Sequence, residues 1–249
     1  MRPVDLKGAS PATLPSSLEC DLTAMCLVIT APVVAMSAAG PALLDAHETA
    51  RLADFVSVDA ERRFVAGACL LRLVVARLTG QHPAAVEVDR RCLECGRNHG
   101  KTRIGDGDLQ VSVSHSGDAV QVACTRSAPV GVDIQARGSR VTPAMRVLLG
   151  RERDRQMTTE AFLITWTRIE AVVKATGEGL RVPLEAVRVS SPQDPPRLES
   201  YRGEPLKCQM HAQRQLTGFV GSVAVLSDSA LEFVELSARD FLGARHTDQ

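Results

Sequence analysis

The sequence predicts an α+β fold, and two stretches of helical periodicity with strand-like runs behind each of them carry that prediction. The first helix spans residues 59–78 and is followed by short apolar runs at 109–113, 119–124 and 129–135. The second spans 162–176 and is followed by runs at 186–190, 217–226 and 231–236. The chain therefore reads as helix plus strands, twice, although identity between the two halves is too low to mark a repeat.

Composition bounds what such a chain does. Its 249 residues are ample for a sizeable core, as one domain or two small ones. A hydrophobic share of 45% beside 23% charged residues is that of an ordinary soluble globular protein. The 29 basic and 29 acidic residues cancel, so the basic excess of a nucleic-acid binder is missing. An anionic ligand must then be met by locally placed Arg and Lys. Seven cysteines at 20, 26, 69, 92, 95, 124 and 208 are odd in number and scattered, which argues against a disulfide framework. Cys69 and Cys124 fall in apolar runs, where a free thiol serves as a small hydrophobe. A reducing, cytoplasmic setting is expected.

Taken in order, residues 1–23 carry Pro3, Gly8, Pro11 and Pro15 without periodicity and read as a flexible leader. The apolar run Ala24–Leu44 is interrupted by Pro32, Gly40 and Pro41 and follows acidic residues closely. It reads as a buried strand (26–34) and loop, not a membrane span or signal peptide. Residues 42–55 have helical spacing. The helix at 59–78 is expected to bury Phe64, Cys69, Leu71, Leu73, Val75 and Leu78 and to meet Gly80 near its C-cap. Residues 114–117 are expected to turn between strands, and 135–140 to form a hinge between the halves. Residues 142–149 are helical, 151–160 a charged solvated segment, and 191–197 a Pro-rich loop. The expected organisation is a leader (1–23), an N-terminal half (24–136), a C-terminal half (137–240) and a tail (241–249).

The chemistry concentrates in two stretches. In the strand 129–135, alternation turns Gly131, Asp133 and Gln135 to one face and Val130, Val132 and Ile134 to the other. In the helix, Trp166, Glu170 and Lys174 recur at four-residue spacing and share a stripe. If strand and helix pack together, two carboxylates, an amide and an ammonium converge. Such oxygen donors suit Mg²⁺, which takes much of its shell from water and substrate phosphates. Taken alone, Glu170 and Lys174 read better as an exposed i,i+4 ion pair.

These stretches, Gly131-Val132-Asp133-Ile134-Gln135 and Trp166-x-x-x-Glu170-x-x-x-Lys174-x-x-Gly177-x-Gly179-Leu180, resemble the signature of the 4′-phosphopantetheinyl transferases of the larger, surfactin-synthetase-activating type. The chain departs from that pattern at Gln135, where Glu is usual, and at Ile169, where Lys is usual. The resemblance covers residues 42–236 and implies two similar α+β halves, related by a pseudo-twofold, with the active site between them. It implies transfer of the 4′-phosphopantetheine of coenzyme A to a serine of an apo acyl or peptidyl carrier protein, with release of 3′,5′-ADP. In that scheme Asp133, Gln135 and Glu170 hold Mg²⁺, Glu170 takes the serine proton, and Lys174 neutralises charge on the departing nucleotide. Arg63, Lys101, Ser114 and His115 match positions that contact coenzyme A, with Arg72 and Arg51 as weaker counterparts. The two-half architecture allows a monomer. Arg146 and Arg151 are candidates for meeting an acidic carrier.

Two other readings stand beside this one. Gln135 and Ile169 support a coenzyme A or carrier-protein binding module whose catalysis is weakened. Cys92-x-x-Cys95 with His99 offers three ligands that suit Zn²⁺ but lacks a fourth, so a zinc-stabilised interaction protein and a turn with free thiols both remain open. A hydrolase built on Ser114-His115 is not supported: neighbouring strand residues point opposite ways, and no Gly-x-Ser-x-Gly elbow is present.

Overall fold

The computed structural model describes residues 21–38, 40–105, 107–150, 157–213 and 216–243. The expected leader up to residue 20, Arg151 and most of the charged segment, and the tail beyond 243 lie outside them. The chain opens with β1 (Met25–Pro32) and turns directly into α1 (Val33–Ser37), so the expected strand 26–34 ends at Pro32, whose missing N–H suits the start of a helix. The helical spacing of 42–55 resolves into α2 (Ala46–Arg51) between two 3₁₀ turns. Next come α3 (Val58–Thr79), the short pair β2 (Val88–Asp89) and β3 (Arg103–Ile104), β4 (Gln110–Ser116), β5 (Ala119–Thr125) and β6 (Val130–Ala136). Strand β4 runs through residues 114–116, expected to be a turn; the reversal falls at Gly117 and Asp118. The second half supplies α4 (Pro143–Leu148), α5 (Thr159–Thr176), β7 (Val187–Val189), β8 (Leu198–Tyr201), β9 (Gln209–Gln213), β10 (Phe219–Val225), β11 (Glu232–Ser237) and α6 (Ala238–Gly243). Strand β9, Gln-Met-His-Ala-Gln, escapes sequence reading because it is an edge strand with little β-branched character.

Two sheets build the core. The first has the order β11-β1-β5-β4 and the second β6-β10-β9. Helix α3 covers the outer face of the first through Leu70, Leu71, Val74 and Val75 against Leu27, Ile29, Val120 and Val122. Helix α5 covers the second. Between the sheets, Cys26, Val28 and Ala123 meet Val130, Val132, Val223 and Val225. One polar pair crosses that apolar layer: Gln121 and Gln213 exchange amide hydrogen bonds of 3.0 and 3.1 Å. Both are buried, and a reciprocal pair leaves little of either amide unsatisfied.

The sheets do not divide the chain at 136/137. Strand β6 pairs with β10, and β11 returns to lie parallel to β1. This return covers an edge of β1 that would otherwise present an open row of backbone groups. No helix among the described residues is long and apolar enough to cross a membrane. The six described cysteines are free thiols, with Cys26, Cys69 and Cys124 buried as the composition suggests.

Candidate active site at the junction of the two sheets

The site is built on the outer edge of β6. That edge faces β4, yet no backbone ladder joins the two strands. Alternate serines of β4 take the place of the ladder: Ser112, Ser114 and Ser116 Oγ accept from the N–H groups of Val132, Ile134 and Ala136 at 3.1, 3.3 and 3.0 Å. The carbonyls of the same edge go to lysines. Lys101 Nζ donates to Val130 O at 2.8 Å and Lys174 Nζ to Val132 O at 2.9 Å. A buried strand edge is thus satisfied by side chains, as its burial requires, and those side chains are drawn to one place.

Helix α5 arrives on the other face of β6 at unusually short range. A Cβ added to Gly131 would lie 1.9 Å from Ala171 O and 2.5 Å from Ala175 N. Only glycine allows backbone to meet backbone there, and this approach brings Asp133 under Glu170 and Lys174. The helix starts at Thr158, whose Oγ1 accepts from Ala161 N at 3.2 Å, and ends at Gly177 with φ +74°. Gly177 has a second duty, because the stem of Lys101 packs over it, 3.1 Å from where a Cβ would stand.

Asp133 is the buried centre, 4% exposed. Its Oδ1 accepts from Lys174 Nζ at 2.7 Å and from Ser114 Oγ at 2.9 Å, and its Oδ2 from Gln135 Nε2 at 3.2 Å. Ser114 Oγ also accepts from Lys174 Nζ at 3.0 Å. Glu170 is half-buried nearby. Burial first, and then the charge of Asp133, raise its pKa above the ordinary glutamate value against the opposing pull of Lys174. His115 points the other way from Ser114 and keeps an exposed face. The protein packed against its ring, and then the charges of Lys174 and Arg63, hold its pKa below the ordinary histidine value. Arg63 on α3 is therefore close enough to act on it. Two cations and an imidazole beside two carboxylates form a place where phosphate oxygens and a hard cation fit together.

Asp133, Glu170, Lys174 and Ser114 are thus brought together, and His115 and Arg63 are related to them through charge alone. Lys101 is not among them. Its three N–H groups meet the carbonyls of Val130, Lys174 and Ala175 at 2.8, 2.9 and 3.0 Å, so it fastens the end of α5 to β6 and has no proton left for a phosphate. Burial pushes its pKa down to about 8. Gln135 turns its amide N–H to Asp133 and its oxygen to Ser116 Oγ (3.3 Å), so it contributes a hydrogen bond where a second acid would repel Asp133. The carboxylates of Asp133 and Glu170 are the donors that fit Mg²⁺: both are hard oxygen ligands, and their mutual repulsion is what a divalent cation relieves. Ile169 is 3% exposed and belongs to the α5 core, which explains an apolar residue there.

Arg72 is structural. It is 1% exposed and bonds Glu48 at 2.6 Å and Asp45 at 2.8 Å, while Arg90 reaches Glu48 at 2.5 Å. Arg51 lies over the Phe64 ring at 5.0 Å. Sequence reasoning missed Ser112 and Ser116 as bridges between the sheets; serines at every second position of an otherwise apolar strand were the available signal. A cavity of about 1130 Å³ lies beyond Phe64, the neighbour of Arg63, with Arg51, Arg97 and His99 among its lining residues. It does not include the Asp133–Glu170 pair.

With Asp133, Glu170 and Lys174 assembled at β6 and α5, comparison with known proteins can be set beside the geometry. Residues 129–225 match the 4′-phosphopantetheinyl transferase superfamily. The match begins at β6 and ends with β10, so it contains both walls of the carboxylate pair. The chain is also 29% identical over 173 residues to the 4′-phosphopantetheinyl transferase HetI of Nostoc sp. (strain PCC 7120). That similarity covers 64% of this chain and 70% of the relative, and so extends beyond the superfamily stretch.

Proposed function

We propose that this chain is a phosphopantetheinyl transferase of the larger, surfactin-synthetase-activating type, which moves the 4′-phosphopantetheine group of coenzyme A onto a serine of an apo acyl or peptidyl carrier protein. The observation that carries the reading is the convergence of Asp133, Glu170 and Lys174 through the close approach at Gly131. The pseudo-twofold relation of two α+β halves belongs to the same proposal. Its support is one long helix over each sheet and a site where β4 of one sheet meets β6 of the other.

In this reading the serine oxygen of the carrier attacks the β-phosphorus of coenzyme A. A new P–O bond forms, the bond to the 3′,5′-ADP oxygen breaks, and the serine proton passes to Glu170. Lys174 orients Asp133 and keeps a positive charge beside the phosphates. Ser114 fixes both partners, and His115 with Arg63 offers cationic contacts on the α3 side. Mg²⁺, held by Asp133 and Glu170, would supply neutralisation of pyrophosphate charge. Lys101 and Gln135 act on the position of these groups.

Intact mass of an apo carrier protein after incubation with this chain, coenzyme A and Mg²⁺ tests the proposal. A gain of one phosphopantetheine group, absent with Glu170→Ala, is the expected result. Measurable coenzyme A binding without a gain on any of several carriers would replace it with the binding-module reading.

A further inference from the structure

The segment between β2 and β3 closes into a tight loop. Cys92 N donates to Arg97 O at 2.8 Å, Gly96 N to Cys92 O at 2.9 Å, His99 N to Arg97 O at 2.9 Å and Gly100 N to Arg90 O at 2.7 Å. The ends of the loop touch at Gly100, where a Cβ would stand 2.7 Å from Arg91 O. This closure gathers Cys92 Sγ, Cys95 Sγ and a His99 ring nitrogen within 4.8 Å of one another, with Cys95 Sγ only 2.9 Å from His99 Nε2. They are the only such group of three found among the described residues, and none belongs to the Asp133–Glu170 site.

From this cluster we propose that Cys92, Cys95 and His99 bind one Zn²⁺ ion, with water in the fourth position. Zn–S bonds of about 2.3 Å and a Zn–N bond of about 2.0 Å place tetrahedral ligand atoms about 3.5–3.8 Å apart. The three atoms already lie near that spacing, and the Cys95–His99 contact opens by well under an ångström to admit the ion. Binding releases the two thiol protons to solvent and takes His99 as the neutral imidazole. The fourth position is left to water because no further Cys, His or carboxylate among the described residues joins the group, and Cys95 and His99 are exposed. Gly96, Arg97 and His99 line the cavity beyond Phe64, so the loop borders that cavity.

The ion would act on position. Lys101 follows the loop by one residue after Gly100 and fastens the C-terminal end of α5, and Glu94 within the loop pairs with Arg181 just beyond that end. A metal that stiffens residues 92–99 thereby stiffens the attachment of the helix that carries Glu170 and Lys174. Binding itself does not depend on the transfer reaction.

Metal content of the full chain purified without chelator is the test, with the chain loaded by Co²⁺ as a second readout. One zinc per chain is expected, lost in Cys92→Ser and Cys95→Ser. The cobalt form should show thiolate-to-metal charge transfer with the strong d–d bands of a tetrahedral site. Hydrogen exchange at 92–100 should slow on zinc addition in the wild-type chain alone. The proposal is overturned by a chain that neither retains nor takes up zinc, by zinc that persists in both serine variants, or by a Cys92–Cys95 disulfide as the resting state under reducing purification. Activity on carrier proteins is not needed for any of these outcomes, so failure here and failure of the transferase reading are told apart.

Discussion

Replacing Gly131 by alanine tests whether the site depends on backbone meeting backbone. The added Cβ would fall 1.9 Å from Ala171 O, whereas ordinary contact for a Cβ begins at 3.4 Å. Helix α5 and strand β6 would have to separate by the difference, about 1.5 Å, and neither obstacle is a side chain that can swing away. Overpacking in a core costs about 1–3 kcal/mol when side chains can adjust. A backbone-to-backbone wedge belongs at or above the upper end. A separation of that size also forfeits more than half of the dispersion energy of the contacts it opens. A loss of about 3 kcal/mol corresponds to a fall of about 6–12 °C in midpoint for a chain of this length. Urea unfolding of Gly131→Ala beside wild type measures it. Gly138→Ala is the control: nothing lies within 4 Å of its added Cβ, and a change within about 0.5 kcal/mol is expected. A Gly131→Ala chain as stable as the Gly138→Ala control, with transfer intact, would refute the close approach and with it the account of how Asp133 meets Lys174.

Lys101→Met removes three hydrogen bonds from the end of α5; it should lower stability by about 1–3 kcal/mol and speed hydrogen exchange at 174–177, while KM for coenzyme A changes little. A large rise in KM with unchanged stability would instead make Lys101 a phosphate contact. Arg72→Met leaves Glu48 buried without its main partner and should cost about 3–5 kcal/mol in urea unfolding, with partial recovery on adding Glu48→Gln. Glu170 has a folded pKa above its unfolded value, so the folded state holds the proton more tightly. Its effect on stability therefore declines as pH rises from the unfolded value through the raised one and levels off above it. Glu170→Gln should remove that decline, unfold at higher urea than wild type in neutral buffer, and abolish transfer.

Much of the site was legible because the relevant periodicities are local. Alternation along 129–135 and four-residue spacing along 166–174 each follow from backbone geometry, so the shared faces of Asp133 with Gly131, and of Glu170 with Lys174, needed no tertiary information. The two long helices were legible for the same reason. The boundaries of short elements were not. Residues 42–55 have helical spacing, yet only Ala46–Arg51 forms an α-helix of six residues, fixed by the capping box of Asp45 and Glu48 and by the buried ion pair to Arg72.

The sequence by itself determined which residue types could do phosphate and metal chemistry and which face of each element they occupy, since both depend on side-chain identity and a repeating backbone. Only the tertiary structure decided which of those residues stand among the carboxylates. Lys101 and Lys174 are both ammonium groups near α5 and each makes three hydrogen bonds, but three carbonyls claim the first, while the second is shared between Val132 O, Asp133 and Ser114. Hydrogen-bond capacity is finite, and what consumes it comes from parts of the chain far away in sequence. The joining of the sheets by Ser112, Ser114 and Ser116, and the return of β11 to β1, are decided at the same level. Each satisfies a strand edge that exists only once the sheets have formed.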